Sequence, residues 1–371
     1  MALILFGGSF DPIHNAHIRI AKAALNEVGG KVIFIPAKNP RWKITEEKEI
    51  DRLNMLFGAL KEIDEKNFQI DTLELKRSEK EISYSIDTVR HYKNLYPNEE
   101  LYFLMGGDEV NRFRNWKNAE EIASLAKIIF VSRPGITLNK EDIAFFNMRQ
   151  LSYMEKDNVS SSSVRLLHNI DVPKFVLNYI EEHKLYYVRK LEERLTPHRL
   201  KHSLSVAHLA EEIIRRNHLP LLNKGYIAGC LHDLGKYLPI EEAKKLMNQY
   251  YPDLDFEKIP QFAIHQYTSA ILAKKLFFIE DEMILEAIAC HCLGKANMSP
   301  LAKILYASDK IEPTRGYDSS SLIEASYQNY ENGFLEVLKA NKEFLENKDK
   351  GKEAKPNYSK ECFDYYLKKG N

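Results

Sequence analysis

The sequence predicts an α/β unit built on a parallel sheet, followed by an all-α unit, and three observations carry this expectation. Short apolar runs such as Lys31-Val32-Ile33-Phe34-Ile35, Leu101-Tyr102-Phe103-Leu104-Met105 and Lys127-Ile128-Ile129-Phe130-Val131 alternate with helical stretches, the pattern of βαβ units. After about residue 187 such runs stop, and amphipathic helix broken by Pro and Gly takes over. A chain of 371 residues also exceeds what one hydrophobic core normally serves. The expected domains are 1–187 and 188–371, with no Gly/Ser-rich or Pro-rich linker between them.

At the N-terminus, Leu3-Ile4-Leu5-Phe6 is apolar throughout, which suits a strand covered on both faces. It leads into Gly7-Gly8 and then into a helix opening with His14 and His17. Glycines let backbone N–H groups approach a phosphate, and a helix start adds unpaired donors and a positive dipole end. Three residues apart, the two histidines share a helical face, so both imidazoles can reach the same oxygens. A nucleoside triphosphate site is expected here.

Polar groups recur where later strands end, the place at which an open parallel sheet binds ligands. Pro36 to Lys43 follows the second run, and Gly106-Gly107-Asp108 and Ser132-Arg133-Pro134-Gly135 follow later ones. Ser160, Ser161, Ser162 and Arg165 lie at another expected helix start, where hydroxyls and a guanidinium fork suit a phosphate.

Composition narrows the classes. With 53 basic and 53 acidic residues the net charge is zero, which argues against a general binder of nucleic acid or membrane surfaces. No basic segment precedes an apolar stretch at the N-terminus and no apolar run reaches about 18 residues, so a cytoplasmic location is expected. Cys230, Cys290, Cys292 and Cys362 are too few for a disulfide framework and should be reduced. From Asn347 to Asn371 the Lys-rich sequence predicts a frayed, solvated helix.

The N-terminal string resembles the G-G-T-F-D-P-x-H-x-G-H signature of the nucleotidylyltransferases, with Ser9 for Thr and Ala16 for Gly. Over residues 1–187 the chain is similar to bacterial nicotinate-mononucleotide adenylyltransferases. Val159 to Arg165 matches their I-S-S-T-x-I-R, Gly106 and Asp108 their G-x-D, and Arg133-Pro134-Gly135 their R-P-G. Tyr84-Ser85 stands for Tyr-Thr, Trp116 for the Trp that stacks on the pyridine ring, and Pro40-Arg41-Trp42-Lys43 for P-P-H-K. The resemblance implies a Rossmann-like domain that joins ATP, arriving with Mg²⁺, to nicotinate mononucleotide. It assigns ATP to Gly7, Gly8, Ser9, Phe10, His14, His17, Gly106, Asp108, Ser160, Ser161, Ser162 and Arg165. The acceptor falls to Lys43, Tyr84, Ser85, Trp116 and Arg133, and catalysis to His14, His17 and Lys43.

In the second unit Thr196 and Pro197 open a helix on which Val206, Leu209 and Ile213 follow His202 at helical spacing, placing His202 on the buried face. A core histidine bonded to a carbonyl would explain His202 alone. The pattern repeats, however. His291 ends the stripe of Ile284 and Ile288, Asp309 follows Leu301 and Leu305, His232-Asp233 follows Ile227 to Leu231, and His265 follows Phe262-Ala263-Ile264. Imidazoles mixed with carboxylates suit iron, manganese or zinc, and two ions if one Asp bridges. A zinc knuckle at Cys290 and Cys292 would lack a second Cys pair.

This H...HD...H...H...D order resembles the HD-superfamily hydrolases. Over about residues 192–335 the surrounding words, His232-Asp233-Leu234-Gly235-Lys236, His291-Cys292-Leu293-Gly294 and Ala307 to Arg315, most resemble the branch that cuts diadenosine tetraphosphate into two ADP. The resemblance implies a bifunctional enzyme whose HD domain holds metal on His202, His232, Asp233, His265, His291 and Asp309, with Lys236 and Arg315 near substrate phosphates. Guanosine tetraphosphate or a cyclic nucleotide as substrate, a non-catalytic nucleotide sensor, and self-association into a homo-oligomer stay open.

Overall fold

Leu3 to Phe6 are almost wholly removed from solvent and form the middle of strand β1 (Ala2–Gly8) in a computed structural model that describes residues 1–40, 45–78, 82–133, 135–155, 159–348 and 359–367. β1 lies between β2 (Lys31–Pro36) and β4 (Glu100–Gly106), and β3 (Phe68–Ile70), β5 (Lys127–Ser132) and β6 (Arg149–Met154) complete the sheet. The order is β3-β2-β1-β4-β5-β6 and every pairing is parallel. Strands are added first to one side of β1 and then to the other, so a crevice opens between the ends of β1 and β4. Leu5, Ile33, Phe103, Met105 and Ile128 anchor the adjoining core.

The turn leaving β1 is held by buried polar groups. The Asp11 carboxylate, 2% exposed, accepts hydrogen bonds from the Tyr186 hydroxyl at 2.8 Å and the Glu46 N–H at 2.7 Å. The guanidinium of Arg165 donates to the Asp11 carbonyl at 2.6 Å, and buried Arg52 donates to the Ser9 carbonyl. Bonded in this way, the buried Asp11 carboxylate fixes the loop rather than weakens it.

Contacts divide the chain into two units, Met1–Tyr186 and Tyr187–Asn371. Among its described residues the second is helical throughout, with principal helices Pro197–Arg216, Lys224–Leu231, Ile264–Phe277, Glu282–Cys290, Pro300–Ile311 and Tyr330–Lys348. Thr196 caps the first of these by accepting from the Arg199 N–H, and Leu200, Val206, Leu209 and Ile213 are buried along it. No helix of the described residues is long and apolar enough to cross a membrane.

The C-terminal expectation needs correction. Residues 349–358 and 368–371 lie outside the described residues, but Lys360–Leu367 is a docked helix rather than a solvated one. Cys362 and Phe363 are buried, and the Tyr366 hydroxyl accepts from the Met298 N–H at 2.6 Å. These three side chains make a short apolar stripe that the surrounding lysines mask in the composition.

Helices Pro197–Arg216 and Lys224–Leu231 pass so closely that a Cβ on Gly229 would lie 2.3 Å from the Ala207 Cα. Gly229→Ala should therefore force the two helices apart and destabilise the second unit by about 1–3 kcal/mol. Thermal unfolding checks this: an unchanged melting temperature would mean the crossing adjusts freely.

Candidate active sites

In the first unit, helix Asn15–Val28 begins where the turn after β1 ends, with His14 as N-cap and His17 one turn in. The His14 N–H donates to His17 Nδ1 at 3.3 Å, and the two rings stack with centroids 3.7 Å apart. Because Nδ1 of His17 accepts, the ring carries its N–H proton on Nε2. Both histidines line a cavity of about 240 Å³ at the crevice between β1 and β4.

Gly7, Gly8, Ser9 and Ser161 also line this cavity, and from the other side Gly106, Asp108, Tyr84, Ser85, Trp116 and Arg133 face it. Trp116 packs edge-on against Phe103 at 5.8 Å, and its buried indole N–H has no hydrogen-bond partner among the described residues. A buried donor left this way costs free energy unless a ligand accepts from it. Lys117 lies 4.1 Å from the centre of the Tyr84 ring, and an Arg133 guanidinium nitrogen lies 3.6 Å from the Asp108 carboxylate.

Four residues expected at the nucleotide stand elsewhere. Phe10 is buried between Phe6 and Phe34, edge-on to His17 at 5.2 Å, and so supports the ring from beneath. Ser160 caps the short helix Ser161–Arg165 by accepting from the Ser163 N–H at 3.0 Å. Arg165 donates to the Ser162 hydroxyl as well as to Asp11, and pairs with Glu46 at 3.2 Å. These side chains brace the turn carrying the histidines instead of lining the cavity. Lys43 lies outside the described residues. Sequence reasoning missed Glu74, which lines the cavity, accepts from the Thr88 hydroxyl at 2.6 Å and has its carboxyl pushed up by burial.

In the second unit the six expected ligands converge from five segments, His232 and Asp233 together from the end of helix Lys224–Leu231. His202, His232 and Asp309 offer donor atoms within 4.8 Å of one another, as do His232, Asp233 and His291. His265 Nε2 is 3.0 Å from one Asp233 oxygen, while the other oxygen lies 3.5 Å from His232 Nε2 and 3.8 Å from His202 Nε2. Asp233 thus faces two groups of imidazoles at once. Three of the four rings are aimed from behind: Nδ1 of His232 donates to the Gly229 carbonyl at 2.7 Å, Nδ1 of His291 to the Ile288 carbonyl at 2.7 Å, and Nδ1 of His202 to Glu312 at 2.8 Å. This leaves Nε2 of each turned towards the carboxylates, as metal-binding histidines require.

Charge states fit the same use. Burial pushes His232 and His291 down, so both favour the neutral imidazole. For Asp233 burial works upward, but His232, His265 and His291 outweigh it and hold the carboxyl well below its usual range. Asp309 is likewise held well down against burial by His202, Lys310 and Arg315. Burial also works to lower His202, yet its bonds to Asp309 and Glu312 raise it. Neutral imidazoles and ionised carboxylates are the forms that ligate a divalent ion, so His232, His291, Asp233 and Asp309 fit, while His202, raised towards the protonated ring, must give up that proton to an ion.

Around these groups stand cations: Arg199 on Asp233 at 2.8 Å, Arg315 on Asp309 at 2.5 Å, and Lys236 at 3.3 Å from His265 Nε2. Glu312 and Arg199 were missed from sequence, although each lies three residues from an expected ligand, while Cys292 was weighed only with Cys290 as a zinc knuckle and set aside.

Comparison with known proteins agrees with this division. The cytidylyltransferase-like family model matches residues 5–167 and the HD domain model residues 199–314. A Mycoplasma genitalium protein described as a probable nicotinate-nucleotide adenylyltransferase/Ap4A hydrolase is 32% identical, covering 91% of this chain and 97% of its own. The chain belongs to that two-domain enzyme family. A Mycoplasma pneumoniae member with the same description is 30% identical over 91% of this chain and 98% of its own. A solved structure titled as a predicted HD superfamily hydrolase involved in NAD metabolism, from Clostridium acetobutylicum, is 31% identical, covering 49% of this chain and 95% of its own, with a TM-score of 0.44. As an HD-domain enzyme of this family, the chain carries a divalent-metal site in its second unit.

Glu312→Gln should weaken metal binding on the order of 10–100-fold without removing a ligand, because the amide no longer holds the charge that orients His202. Metal titration of the apoprotein reads this directly, and unchanged affinity would leave Glu312 a purely structural partner.

Proposed function

We propose that residues 1–187 transfer adenylyl from ATP to nicotinate mononucleotide, releasing pyrophosphate, and that residues 188–371 hydrolyse diadenosine tetraphosphate to two ADP. The observation that carries the first half is the cavity at the β1–β4 crevice, with an imidazole N–H donor on one wall and an indole with an unsatisfied N–H on the other. The acceptor's 5'-phosphate attacks the α-phosphorus of ATP in line, so no covalent intermediate on the protein is needed and catalysis rests on positioning and on stabilising charge. His17, with His14 stacked against it, donates to the triphosphate. The Gly7-Gly8 backbone admits the phosphates closely. Trp116 stacks on the pyridine ring, with Tyr84, Ser85 and Arg133 beside its carboxylate. Lys43 is assigned to the acceptor phosphate by family resemblance, and Mg²⁺ enters with ATP.

For the second half, the supporting feature is Asp233 facing both groups of imidazoles. Two transition-metal ions there, iron, manganese or zinc, would supply hydroxide at neutral pH and clamp phosphate oxygens. Lys236 and Arg315 meet the remaining phosphate charge, and Arg199 holds the Asp233 carboxylate in place.

Three variants separate the halves. His17→Ala should lower pyrophosphate release on the order of a hundredfold or more and leave tetraphosphate cleavage unchanged. Trp116→Ala should raise the KM of nicotinate mononucleotide far more than that of ATP, since ring stacking contributes about 1 kcal/mol. Asp233→Ala should lose metal and diadenosine tetraphosphate cleavage while retaining adenylyl transfer. Steady-state assays of each purified variant with both substrate pairs check all three. A metal-loaded wild type that leaves diadenosine tetraphosphate intact would redirect the second half to guanosine tetraphosphate, a cyclic nucleotide or nucleotide sensing.

A further inference from the structure

Cys292 stands at the metal centre outside the six-residue ligand order. Its Sγ lies 3.2 Å from His291 Nε2 and 3.3 Å from His265 Nε2, and those two nitrogens are 3.2 Å apart. Since the His291 Nδ1 proton goes to the Ile288 carbonyl, its Nε2 presents a bare lone pair to this group. Asp233 completes it with an oxygen 3.0 Å from His265 Nε2. A tetrahedral ion with nitrogen ligands at roughly 2.0–2.1 Å and sulfur at about 2.3 Å separates its ligand atoms by roughly 3.3–3.6 Å. The spacings within His265, His291 and Cys292, and that between His265 and Asp233, need only small movements to match.

The thiol is also held in place. The buried Gln266 side chain, next to His265, accepts from the backbone N–H groups of Cys292 at 3.2 Å and Leu293 at 3.3 Å. One helix therefore carries an imidazole into the centre and fixes the backbone that brings the sulfur to it. Cys290 is turned away, its Sγ donating to the Ala287 carbonyl of its own helix.

We infer that Cys292 is a thiolate ligand of one of two ions, sharing it with His265, His291 and Asp233, so that the centre has one sulfur-bearing and one sulfur-free position. This rests on the proposal that the HD centre holds metal. On coordination Sγ releases its proton to solvent and no electrons change hands. The other position has His202, His232, Asp309 and the second Asp233 oxygen, all nitrogen and oxygen donors. A soft thiolate favours zinc, iron(II) or cobalt(II) over manganese or magnesium, so the two positions differ in the metal they select.

The test uses cobalt(II). The full-length apoprotein is loaded with cobalt, and metal content and absorption are measured for wild type, Cys292→Ser and Cys290→Ser. Sulfur-to-cobalt charge transfer in the near ultraviolet should be present in wild type and Cys290→Ser and absent in Cys292→Ser. In Cys292→Ser one cobalt should bind more weakly, on the order of tenfold or more. Wild type that binds cobalt without this absorption overturns the inference while the metal centre stands, whereas wild type that binds no cobalt overturns the metal reading itself. A second measurement needs no variant: zinc should slow iodoacetamide alkylation at Cys292 of wild type at least tenfold, read by peptide mass, and equal rates with and without zinc count against ligation.

Discussion

A carboxylate taken out of water must be answered by donors or opposite charge, and each unit is organised around one such group. In the first it is Asp11, met by a tyrosine hydroxyl, a backbone N–H and the nearby guanidinium of Arg165. In the second it is Asp233, met by Arg199 and by imidazoles at 3.0 to 3.8 Å. The difference decides what each can do. Asp11 is closed off by protein donors, so it stiffens the turn that presents His14 and His17. Asp233 turns both oxygens towards imidazole nitrogens, an arrangement that suits cations.

The first unit separates bracing from binding along a single loop. Arg52, Arg165 and Ser161 donate to the carbonyls of Ser9, Asp11 and Pro12, while Gly7, Gly8, His14 and His17 on either side of those carbonyls face the cavity, as Ser161 also does. Preorganisation of this kind matters for a reaction without a covalent step, because geometry is most of what the protein contributes.

Much of this was legible in sequence, and what was not has identifiable causes. Strands β1, β2, β4 and β5 are apolar because both faces are covered, and so they stand out. β3 has three residues, and β6 at the sheet edge buries little of its length, so neither carries a strong signal. The six metal-binding candidates were readable because each sits on the apolar stripe of its helix or beside it. Glu312 and Arg199 share helical faces with Asp309 and His202, yet a charged residue at that spacing looks like any solvated one. Cys292 lies off the Ile284, Ile288 and His291 stripe of helix Glu282–Cys290, and the Gln266 contacts hold its backbone in place. Arg165 illustrates the reverse case. A motif match gave its type and place, but the partner it holds comes from Asp11, more than 150 residues away.

Electrostatics bears on what the second unit can accept. Three carboxylates, Asp233, Asp309 and Glu312, lie at the centre, with Arg199, Lys236, Lys310 and Arg315 around them. Burial lowers Lys310, whose ammonium packs 3.6 Å from the centre of the Tyr306 ring and donates to the His291 carbonyl, so the cation backs the ligand helix from inside the core. Without metal, a raised His202 and lowered His232 and His291 describe a cluster that favours a proton at one end and lone pairs at the other. A divalent ion held there adds to these basic side chains and outweighs the three carboxylates. Such a surplus suits a substrate with several phosphate charges better than a neutral or singly charged one, and the half-exposed Arg315 guanidinium provides a point at which such an anion can first be met.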